Sequence, residues 1–489
     1  MMMATGAEGS YLDLLVKTLP QLVLFVATSF ILLLGASIKE KKGLLSFLVS
    51  LVGMAIAFFL SWKLWLQGGS SVMYMLSFDR FSFLGWMATL LALLFSLLLS
   101  YSYLAERKMI RCEYFALLLM SVIGMGAMIA ASDLITFFVG LETMSIAVYV
   151  LAGYFRIRVE SNEAALKYFI NGAFASAFMV MGIAFLYGSA GTLDLQTLSH
   201  MAQPILLGGH RLYFLLGIGL LLIGFGFKVS AVPFHFWAPD VYEGSPTPVT
   251  AFMAMAVKVA AFFAFIRVAS TVLVQAGSLY VQAIWIIAVA TMFVGNLGAI
   301  AQDNLKRLLA YSSIAHVGYL LVAFPLLGTH YAQIAPALLF YLISYIFMTA
   351  GAFAVVCIAQ GKSESADIYH LAGFARKRPA LAAVAVIFFL SLAGFPPTLG
   401  FFAKYYLFSE ALSAGFVWLV VVALLNSAMS AYYYLRPIVV MYFHEAKDSE
   451  ADKVPIHPFV LVVLAICLFA LLVCGVFPNT LLSLTSASV

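Results

Sequence analysis

Residues 212–237, LYFLLGIGLLLIGFGFKVSAVPFHFW, decide the fold, because they form a long apolar helix that contains a lysine and a proline. Proline removes a backbone hydrogen bond and clashes with the preceding turn, so Pro233 predicts a break close to Lys228. Residues 379–408, PALAAVAVIFFLSLAGFPPTLGFFAKYYLF, repeat this combination with a double proline followed by Lys404. Within a membrane, such breaks are tolerated only where they are buried in protein or line a wet cavity.

The whole chain has the composition of a membrane protein. Of its 489 residues, 64% are hydrophobic and only 10% are charged, whereas a soluble domain needs far more charge to cover its surface. Apolar runs recur that are long enough to cross the roughly 30 Å hydrocarbon core. The sequence therefore predicts an all-α polytopic membrane protein with about fourteen transmembrane helices. They are expected near 18–37, 43–67, 80–104, 112–131, 133–155, 163–187, 211–232, 247–275, 279–301, 304–326, 331–360, 379–411, 415–440 and 456–480.

Basic residues test this count, because they concentrate in the loops on the cytoplasmic side of a membrane protein. Three lie in loops after even-numbered helices or before helix one: Lys17, Arg80 and Arg211. Seventeen lie after odd-numbered helices: Lys39, Lys41, Lys42, Arg107, Lys108, Arg111, Arg156, Arg158, Lys306, Arg307, Lys362, Arg376, Lys377, Arg378, Arg436, Lys447 and Lys453. The alternation predicts that both termini lie on the non-cytoplasmic side.

The two interrupted helices are the seventh and the twelfth, five helices apart. An odd offset places two copies of a unit in opposite orientations, which is the pattern of inverted repeats. The alternative is a chance match, because prolines are common in membrane helices. We predict a single membrane domain over 1–489, with three N-terminal helices in 1–111, the first five-helix repeat in 112–275 and the second in 279–440. Residues 441–489 supply a C-terminal loop and helix.

Four charged residues fall deep within the predicted helices: Glu142, Lys228, Lys258 and Lys404. Each costs about 2.5–3.5 kcal/mol at the bilayer centre on insertion scales, so we expect the four residues to have a function. If their helices bundle together, Glu142 can pair with Lys228 and stabilise its charge. Lys258 has no intramembrane carboxylate of its own, so burial favours its neutral, proton-accepting form. These residues predict a relay that carries protons.

Other ionisable residues are weaker candidates for the proton relay. His316 and His235 can pass a proton, since neutral imidazole both accepts and donates, but a membrane histidine can equally be a hydrogen-bonded core residue. Lys63, Lys167 and Arg267 lie nearer to helix ends, where long stems let the charge reach the headgroups.

The motifs for other chemistry are missing. No GxGxxG follows a strand, no GxxxxGK[ST] loop occurs, and no histidine spacing fits haem. The four cysteines form no CxxC pair and are interpreted as small buried hydrophobic residues, and no metal site is expected. Energy for transport must then come from partner proteins or from an ion gradient.

Four stretches together resemble the antiporter-like membrane subunits of respiratory complex I, and most of all the subunit N branch. They are FVGLETMSIAVYVLAGY, KVSAVPFHFWAPDVYEGSPTPV, DNLKRLLAYSSIAHVGYLL and LAGFPPTLGFFAKYYLF. The resemblance extends over nearly the whole chain, and the YEGSPTP loop is its most specific part. It implies fourteen helices with inverted five-helix repeats, in agreement with the count from loop charges.

The resemblance also implies roles for particular residues. Glu142 and Lys228 match the family's charge pair, Lys258 its connecting lysine, and Lys404 the basic residue on the broken twelfth helix. His316 lies in a shared segment and is implied as a relay member. Lys167 lies in another familiar stretch, EAALKYFINGAF, and stays a candidate beside His235.

The implied function is proton translocation within the membrane arm of an NADH-quinone oxidoreductase in the bacterial inner membrane. Its partners would be the other membrane-arm subunits and the lipid bilayer, with no nucleic acid. This chain would hold no cofactor, since NADH, FMN, iron–sulfur clusters and quinone would be bound by partner subunits. It would act in a translocase without a redox centre of its own.

Two alternatives remain open. The first is a subunit of a multi-subunit cation/proton antiporter, which would use the same charged residues under a gradient. The YEGSPTP loop and Lys404 favour the complex I interpretation. The second is a structural membrane scaffold whose buried charges merely fix helix packing.

Overall fold

The computed structural model describes residues 4–37, 43–73, 75–361, 365–445 and 456–489. Six basic loop residues used in the orientation argument lie outside these ranges: Lys39, Lys41, Lys42, Lys362, Lys447 and Lys453. Within them the chain is a helical bundle with one two-stranded antiparallel hairpin, β1 (Ser71–Met73) and β2 (Leu76–Phe78).

The helices follow the predicted order closely. Those before the first break are α1 (Ala4–Ser37), α2 (Leu44–Gln67), α3 (Arg80–Glu106), α4 (Cys112–Ala130), α5 (Leu134–Ala152), α6 (Val159–Ala190), α7 (Leu195–Leu207) and α8 (Arg211–Val229). Those after it are α9 (Trp237–Gly244), α10 (Thr247–Phe252), α11 (Lys258–Thr271), α12 (Ser278–Ile300), α13 (Leu305–Leu321), α14 (Tyr331–Gln360), α15 (Phe374–Lys377), α16 (Pro379–Ala393), α17 (Leu399–Ser413), α18 (Val417–Phe443), α19 (Pro458–Val476) and α20 (Asn479–Ser486).

Thirteen spans of the described chain are long and apolar enough to cross a membrane. The one predicted span not among these thirteen is the twelfth, which is divided into α16 and α17; α16 is apolar but too short to cross alone. The all-α polytopic fold is therefore confirmed. The amphipathic helix α7 was not predicted, because it is only 13 residues long and polar on one side.

Both predicted breaks are present. α8 ends at Val229, and Ser230 adopts a left-handed conformation with φ 64°. α16 ends at Ala393, where Gly394 has φ 91°. Freed backbone groups need partners inside a membrane, and here side chains supply them. The N–H of Val232 donates to Thr291 Oγ1 at 3.0 Å.

Two short backbone pairings occupy corresponding places in the predicted repeats. At the start of α5, Asp133 pairs antiparallel with Asp194, and at the start of α13, Asn304 pairs with Asp367. Asp133 and Asn304 each also cap their own helix through a side-chain oxygen. This correspondence supports the inverted repeats, while their boundaries and the division of the chain stay predictions.

The bundle encloses the middle of the sequence. The span Thr247–Thr271, made of α10, a π-helical turn (Met253–Val257) and α11, is buried except near its C-terminal end, and α13 and α14 are almost as enclosed. α1, α2, α6 and α18 lie at the periphery, with much of their apolar surface exposed. Lys258 therefore lies on the most enclosed helix of the described chain.

Candidate functional site: a chain of buried lysines and hydroxyls

Three lysines within the bundle are almost completely enclosed. Lys228 and Lys258 are each 3% exposed, and Lys404 is 6% exposed. None of the three contacts a carboxylate among the described residues; their ammonium groups donate to hydroxyl or carbonyl oxygens instead. A buried ammonium requires such partners, and with neutral ones it is only weakly held in its charged form.

Lys228 lies in the last turn of α8, directly before the break. Its Nζ donates to Ser145 Oγ at 2.6 Å and lies 3.4 Å from the hydroxyl of Tyr149, both on α5. The break thus places the C-terminal end of α8 against the middle of α5. The hydroxyls of α5 are the polar neighbours of the buried Lys228 ammonium.

The expected direct contact between Glu142 and Lys228 is not formed. Glu142 is half-buried, and its Oε1 accepts a hydrogen bond from Ser176 Oγ on α6 at 2.5 Å. Ser145, less than one turn further along α5, lies towards Lys228 instead. Glu142 and Ser145 therefore have different neighbours, Ser176 on α6 and Lys228 on α8. The direct pairing of Glu142 with Lys228 that the sequence suggested is replaced by an arrangement in which the two side chains do not touch.

Lys258 directly follows the π-helical turn Met253–Val257. Such turns are rare and frequently occur at functional sites. The Lys258 Nζ donates to the carbonyl of Ser313 at 3.1 Å and to its hydroxyl as well. The backbone and the side chain of one serine therefore hold the same ammonium.

His316 is 1% exposed, and both of its ring nitrogens lie within hydrogen-bond distance of a tyrosine hydroxyl. Nδ1 lies 2.7 Å from the hydroxyl of Tyr341, and Nε2 lies 3.1 Å from the hydroxyl of Tyr434. Tyr434 in turn contacts Ser312. The ring of Tyr345 lies 5.1 Å from that of His316.

Lys404 lies at the second break. Its Nζ donates to the carbonyl of Ala393 at 2.7 Å and to Ser427 Oγ at 2.9 Å, and it lies 4.9 Å above the ring of Tyr319. Ala393 is the last residue of α16, where carbonyls lack partners and the helix dipole favours a cation.

A second polar cluster, which the sequence analysis missed, lies beside Lys404. Asn296 Nδ2 donates to Asn426 Oδ1 at 3.1 Å and to the Tyr319 hydroxyl at 3.2 Å, and its Oδ1 accepts from Tyr433 at 3.0 Å. Asparagines inside apolar helices could have revealed it, because polar side chains in membranes usually bond to neighbouring helices.

The two less certain candidates lie away from this chain of groups. His235 lies between α8 and α9, is 7% exposed, and its Nδ1 has no hydrogen-bond partner among the described residues. Lys167 is 40% exposed and forms ion pairs of 2.6 Å with both Glu163 and Asp240. Its amine therefore lies in a charged surface cleft.

This cleft has a volume of about 520 Å³ on the face predicted to be cytoplasmic. Arg307 contacts Asp240 at 2.7 Å and Glu243 at 3.0 Å, so that α6, α9 and α13 are joined by ion pairs. Burial alone would raise the pKa of Asp240, but hydrogen bonds from Lys167 and Arg307 outweigh it and hold the pKa below its usual range. Lys306, predicted as a loop residue, is instead buried at the edge of the cleft.

A second cleft, of about 600 Å³, opens on the opposite face. It contains Arg267, predicted to reach the headgroups, whose guanidinium forms two 2.9 Å contacts with both oxygens of Asp79. Burial raises the pKa of Asp79, but its charge and hydrogen-bond interactions with Arg267 lower it further, to below its usual range.

Comparison with known proteins agrees with this architecture. The family model of the NADH:quinone oxidoreductase/Mrp antiporter transmembrane region matches residues 131–430. NADH-quinone oxidoreductase subunit N of Trichlorobacter lovleyi is 41% identical over 473 residues, which is 96% of each chain. Subunit N 1 of Solibacter usitatus is 39% identical, with 96% of each chain covered.

Solved structures show the same fold. A chain of respiratory complex I from Thermus thermophilus is 34% identical and superimposes with a TM-score of 0.81, covering 96% of this chain and all of that one. A chain of the Mrp complex from a Dietzia species has a TM-score of 0.83 at 22% identity, with 97% of each chain covered. The latter likeness concerns the fold alone.

Proposed function

This chain belongs to the NADH:quinone oxidoreductase/Mrp antiporter family as a membrane subunit of the complex I subunit N type, and we propose that it translocates protons through its buried lysines. The driving energy comes from oxidation of NADH and reduction of quinone in other subunits of the assembly. Partner subunits hold NADH, FMN, iron–sulfur clusters and quinone, and this chain supplies the proton path.

One observation carries the proposal: three enclosed lysines are held by neutral oxygens rather than by carboxylates. Each placement costs about 2.5–3.5 kcal/mol on insertion scales, and ordinary packing would be satisfied by apolar residues. An ammonium with neutral partners can lose its proton without leaving a carboxylate unpaired. The lysines are thus suited to alternate between charged and neutral forms.

The hydroxyls between the lysines provide the connections. A serine or tyrosine hydroxyl can accept a proton on one side and donate one on the other. From Lys258 the contacts lead to Ser313, and its neighbour Ser312 contacts Tyr434, whose hydroxyl lies 3.1 Å from His316 Nε2. Tyr434 and Tyr341 then flank the imidazole, whose two nitrogens make it suited to transfer in either direction.

The ends of the proposed relay are Glu142 and Lys404. Glu142, half-buried on α5, accepts a hydrogen bond from Ser176 and lies less than one turn before Ser145, the partner of Lys228. Lys404, at the other end, is held by the terminal carbonyl of α16. His235 and Lys167 lie away from these groups and remain candidates for delivering protons to them.

The decisive experiment replaces Lys258 by alanine in the assembled complex. We expect assembly and NADH binding to persist while protons moved per NADH fall, because no other amine of the described residues bonds to Ser313. Lys63→Ala is the matched control, since that lysine is exposed on a peripheral helix. Normal proton transfer in the Lys258 variant would remove it from the relay.

The same set of variants separates the alternatives. If the buried charges only fix packing, Lys228→Ala should prevent assembly, whereas a relay member should allow assembly and lose pumping. A cation/proton antiporter would exchange protons for sodium without NADH, and sodium-dependent exchange in vesicles free of NADH would favour it. The similarity to known relatives does not favour the cation/proton antiporter.

A further inference from the structure

The side-chain amide of Asn296 on α12 joins three helices of the bundle. Asn296 is completely buried, although much of the apolar surface of α12 is exposed. Its Nδ2 lies 3.2 Å from the Tyr319 hydroxyl on α13 and 3.1 Å from Asn426 Oδ1 on α18. The same nitrogen donates to the Met292 carbonyl of its own helix at 2.9 Å, and Oδ1 accepts from the Tyr433 hydroxyl of α18 at 3.0 Å. One side chain therefore ties α12 to both α13 and α18.

The two side chains that contact the Lys404 ammonium are both attached to this amide. Tyr319, whose ring centre lies 4.9 Å from the ammonium, is bonded to Asn296 through its hydroxyl. Ser427, which accepts a hydrogen bond from Lys404 at 2.9 Å, directly follows Asn426 on α18. Within the described chain, Asn296 itself forms no hydrogen bond with the lysine. It therefore acts on Lys404 only through the lysine's neighbours.

The contacts of Asn296 also extend towards the histidine of the relay. Asn426 and Tyr433 lie about two turns apart and therefore on the same face of α18, so the amide holds this segment at both of its ends. Tyr434 follows Tyr433, with the two ring centres 4.5 Å apart, and its hydroxyl lies 3.1 Å from His316 Nε2. One segment of α18 thus carries partners of both relay groups.

Ordinary helix packing does not require an amide at this place. An apolar side chain of similar size would fill the space, whereas a polar group buried in a membrane protein is tolerated only with hydrogen-bond partners. Outside its own helix, the partners of Asn296 among the described residues lie on α13 and α18. These are the helices that carry His316 and Ser427, so the amide is directed at the surroundings of the relay.

We propose that Asn296 is a positioning residue of the proton relay, which holds Tyr319 and the Ser427 segment of α18 where they fix the Lys404 amine. The inference rests on the proposed relay and adds to it a residue that transfers no proton itself. Transfer requires the donor and the acceptor to lie within about 2.6–3.2 Å, directly or through one water. Without the amide, Tyr319 and α18 lose their common anchor, and the amine spends less time in a position suited to transfer.

The test is Asn296→Leu in the complete complex, because leucine is similar in size and forms no hydrogen bonds. In inverted membrane vesicles, NADH oxidation and proton uptake are measured together, in H₂O and in D₂O. We expect an assembled complex with a several-fold lower rate of proton uptake. We also expect a larger ratio of the rates in the two solvents, because proton transfer becomes limiting. A purely structural role would reduce the amount of assembled complex and leave that ratio at its native value.

Asn171→Leu is the matched control, since the Asn171 amide donates to the carbonyl of Lys167 in its own helix, α6, at 2.8 Å. Tyr319→Phe is a second variant, which keeps the ring beside Lys404 and removes the hydroxyl that contacts Asn296. It decides the matter if Asn296→Leu fails to assemble. A raised solvent ratio in Tyr319→Phe supports the proposal, and a native ratio overturns it.

Lys404→Met in the same assay separates two kinds of failure. If it lowers the protons moved per NADH while Asn296→Leu and Tyr319→Phe behave like Asn171→Leu, the relay stands and the positioning role is wrong. If Lys404→Met pumps normally, the relay through Lys404 is wrong and the role of Asn296 falls with it. Adding Asn296→Leu to Lys404→Met should lower the proton yield no further, and an additional loss would argue against action through the lysine.

Discussion

The ammonium of Lys404 lies 2.7 Å from the carbonyl oxygen of Ala393, the residue at which the first half of the broken helix ends. One side chain therefore performs two tasks at the second break. It satisfies a carbonyl that the interruption leaves unpaired, and it places a titratable amine inside the bundle. The same relation makes the amine sensitive to any movement of α16 against α17.

Replacing Lys404 by methionine tests both tasks, because methionine keeps the stem and removes the charge. We expect a loss of about 2 kcal/mol of stability, typical of a hydrogen bond to a charged group, and strongly reduced proton pumping. Thermal unfolding and the number of protons moved per NADH measure the two effects. An unchanged proton yield would show that Lys404 only closes the end of α16.

Ser145→Ala removes the hydroxyl that lies 2.6 Å from the Lys228 ammonium. We expect slower pumping than in the native complex, although less impaired than in Lys228→Ala, because the Tyr149 hydroxyl remains at 3.4 Å. Ser96→Ala is the control, since its buried hydroxyl only bonds back to Ala92 within α3. Equal rates in the two serine variants would exclude Ser145 from the path.

Tyr434→Phe removes the hydroxyl between Ser312 and His316 Nε2. The imidazole then keeps only Tyr341 as a hydroxyl partner, so we expect proton transfer to be slowed several-fold while the complex still assembles. Tyr280→Phe serves for comparison, because that buried hydroxyl donates to the backbone of Phe324 outside the cluster. If both tyrosine variants pump like the native complex, the His316 cluster serves packing alone.

Asp79→Asn breaks the ion pair with Arg267 on the second cleft. Both side chains are partly exposed, so the loss should be about 2 kcal/mol, below the roughly 3–5 of a fully buried pair. Because the pKa of Asp79 is lower in the folded state than its ordinary 3.8, the contribution is present above about pH 4. It disappears as the pH falls through the lowered pKa.

Unfolding of the purified chain in detergent, followed between pH 3 and 7 (about the range over which this carboxyl titrates), checks this dependence. The native and Asp79→Asn chains should differ near neutral pH and converge in acid. Asp133→Asn is the control, because asparagine also caps a helix and Asp133 has no cationic partner among the described residues. A constant difference between the native and Asp79→Asn chains at all pH values would contradict the assignment.

Much of the architecture was accessible from the sequence, for reasons that are local. The order of the spans follows from the length of apolar runs, and the breaks follow from what proline does to its own helix. Lys228, Lys258 and Lys404 were recognisable because a charge inside an apolar run is costly wherever the helix is placed. Their burial in the structure agrees with that expectation.

The partners of these residues were decided only by the tertiary structure. Lys228 meets Ser145, 83 positions away, rather than Glu142, and Lys258 meets Ser313, 55 positions away. Lys306 is enclosed although it lies at the very start of a predicted helix, beside a loop whose charges were expected to face the cytoplasm. Hydrophobicity and helix breaking depend on a few adjacent residues, whereas a hydrogen bond between helices depends on how each helix is rotated and how deeply it lies. Those two quantities are set by the packing of the whole bundle, so the sequence by itself determined which spans and which three lysines lie inside the membrane, and only the fold determined which groups touch.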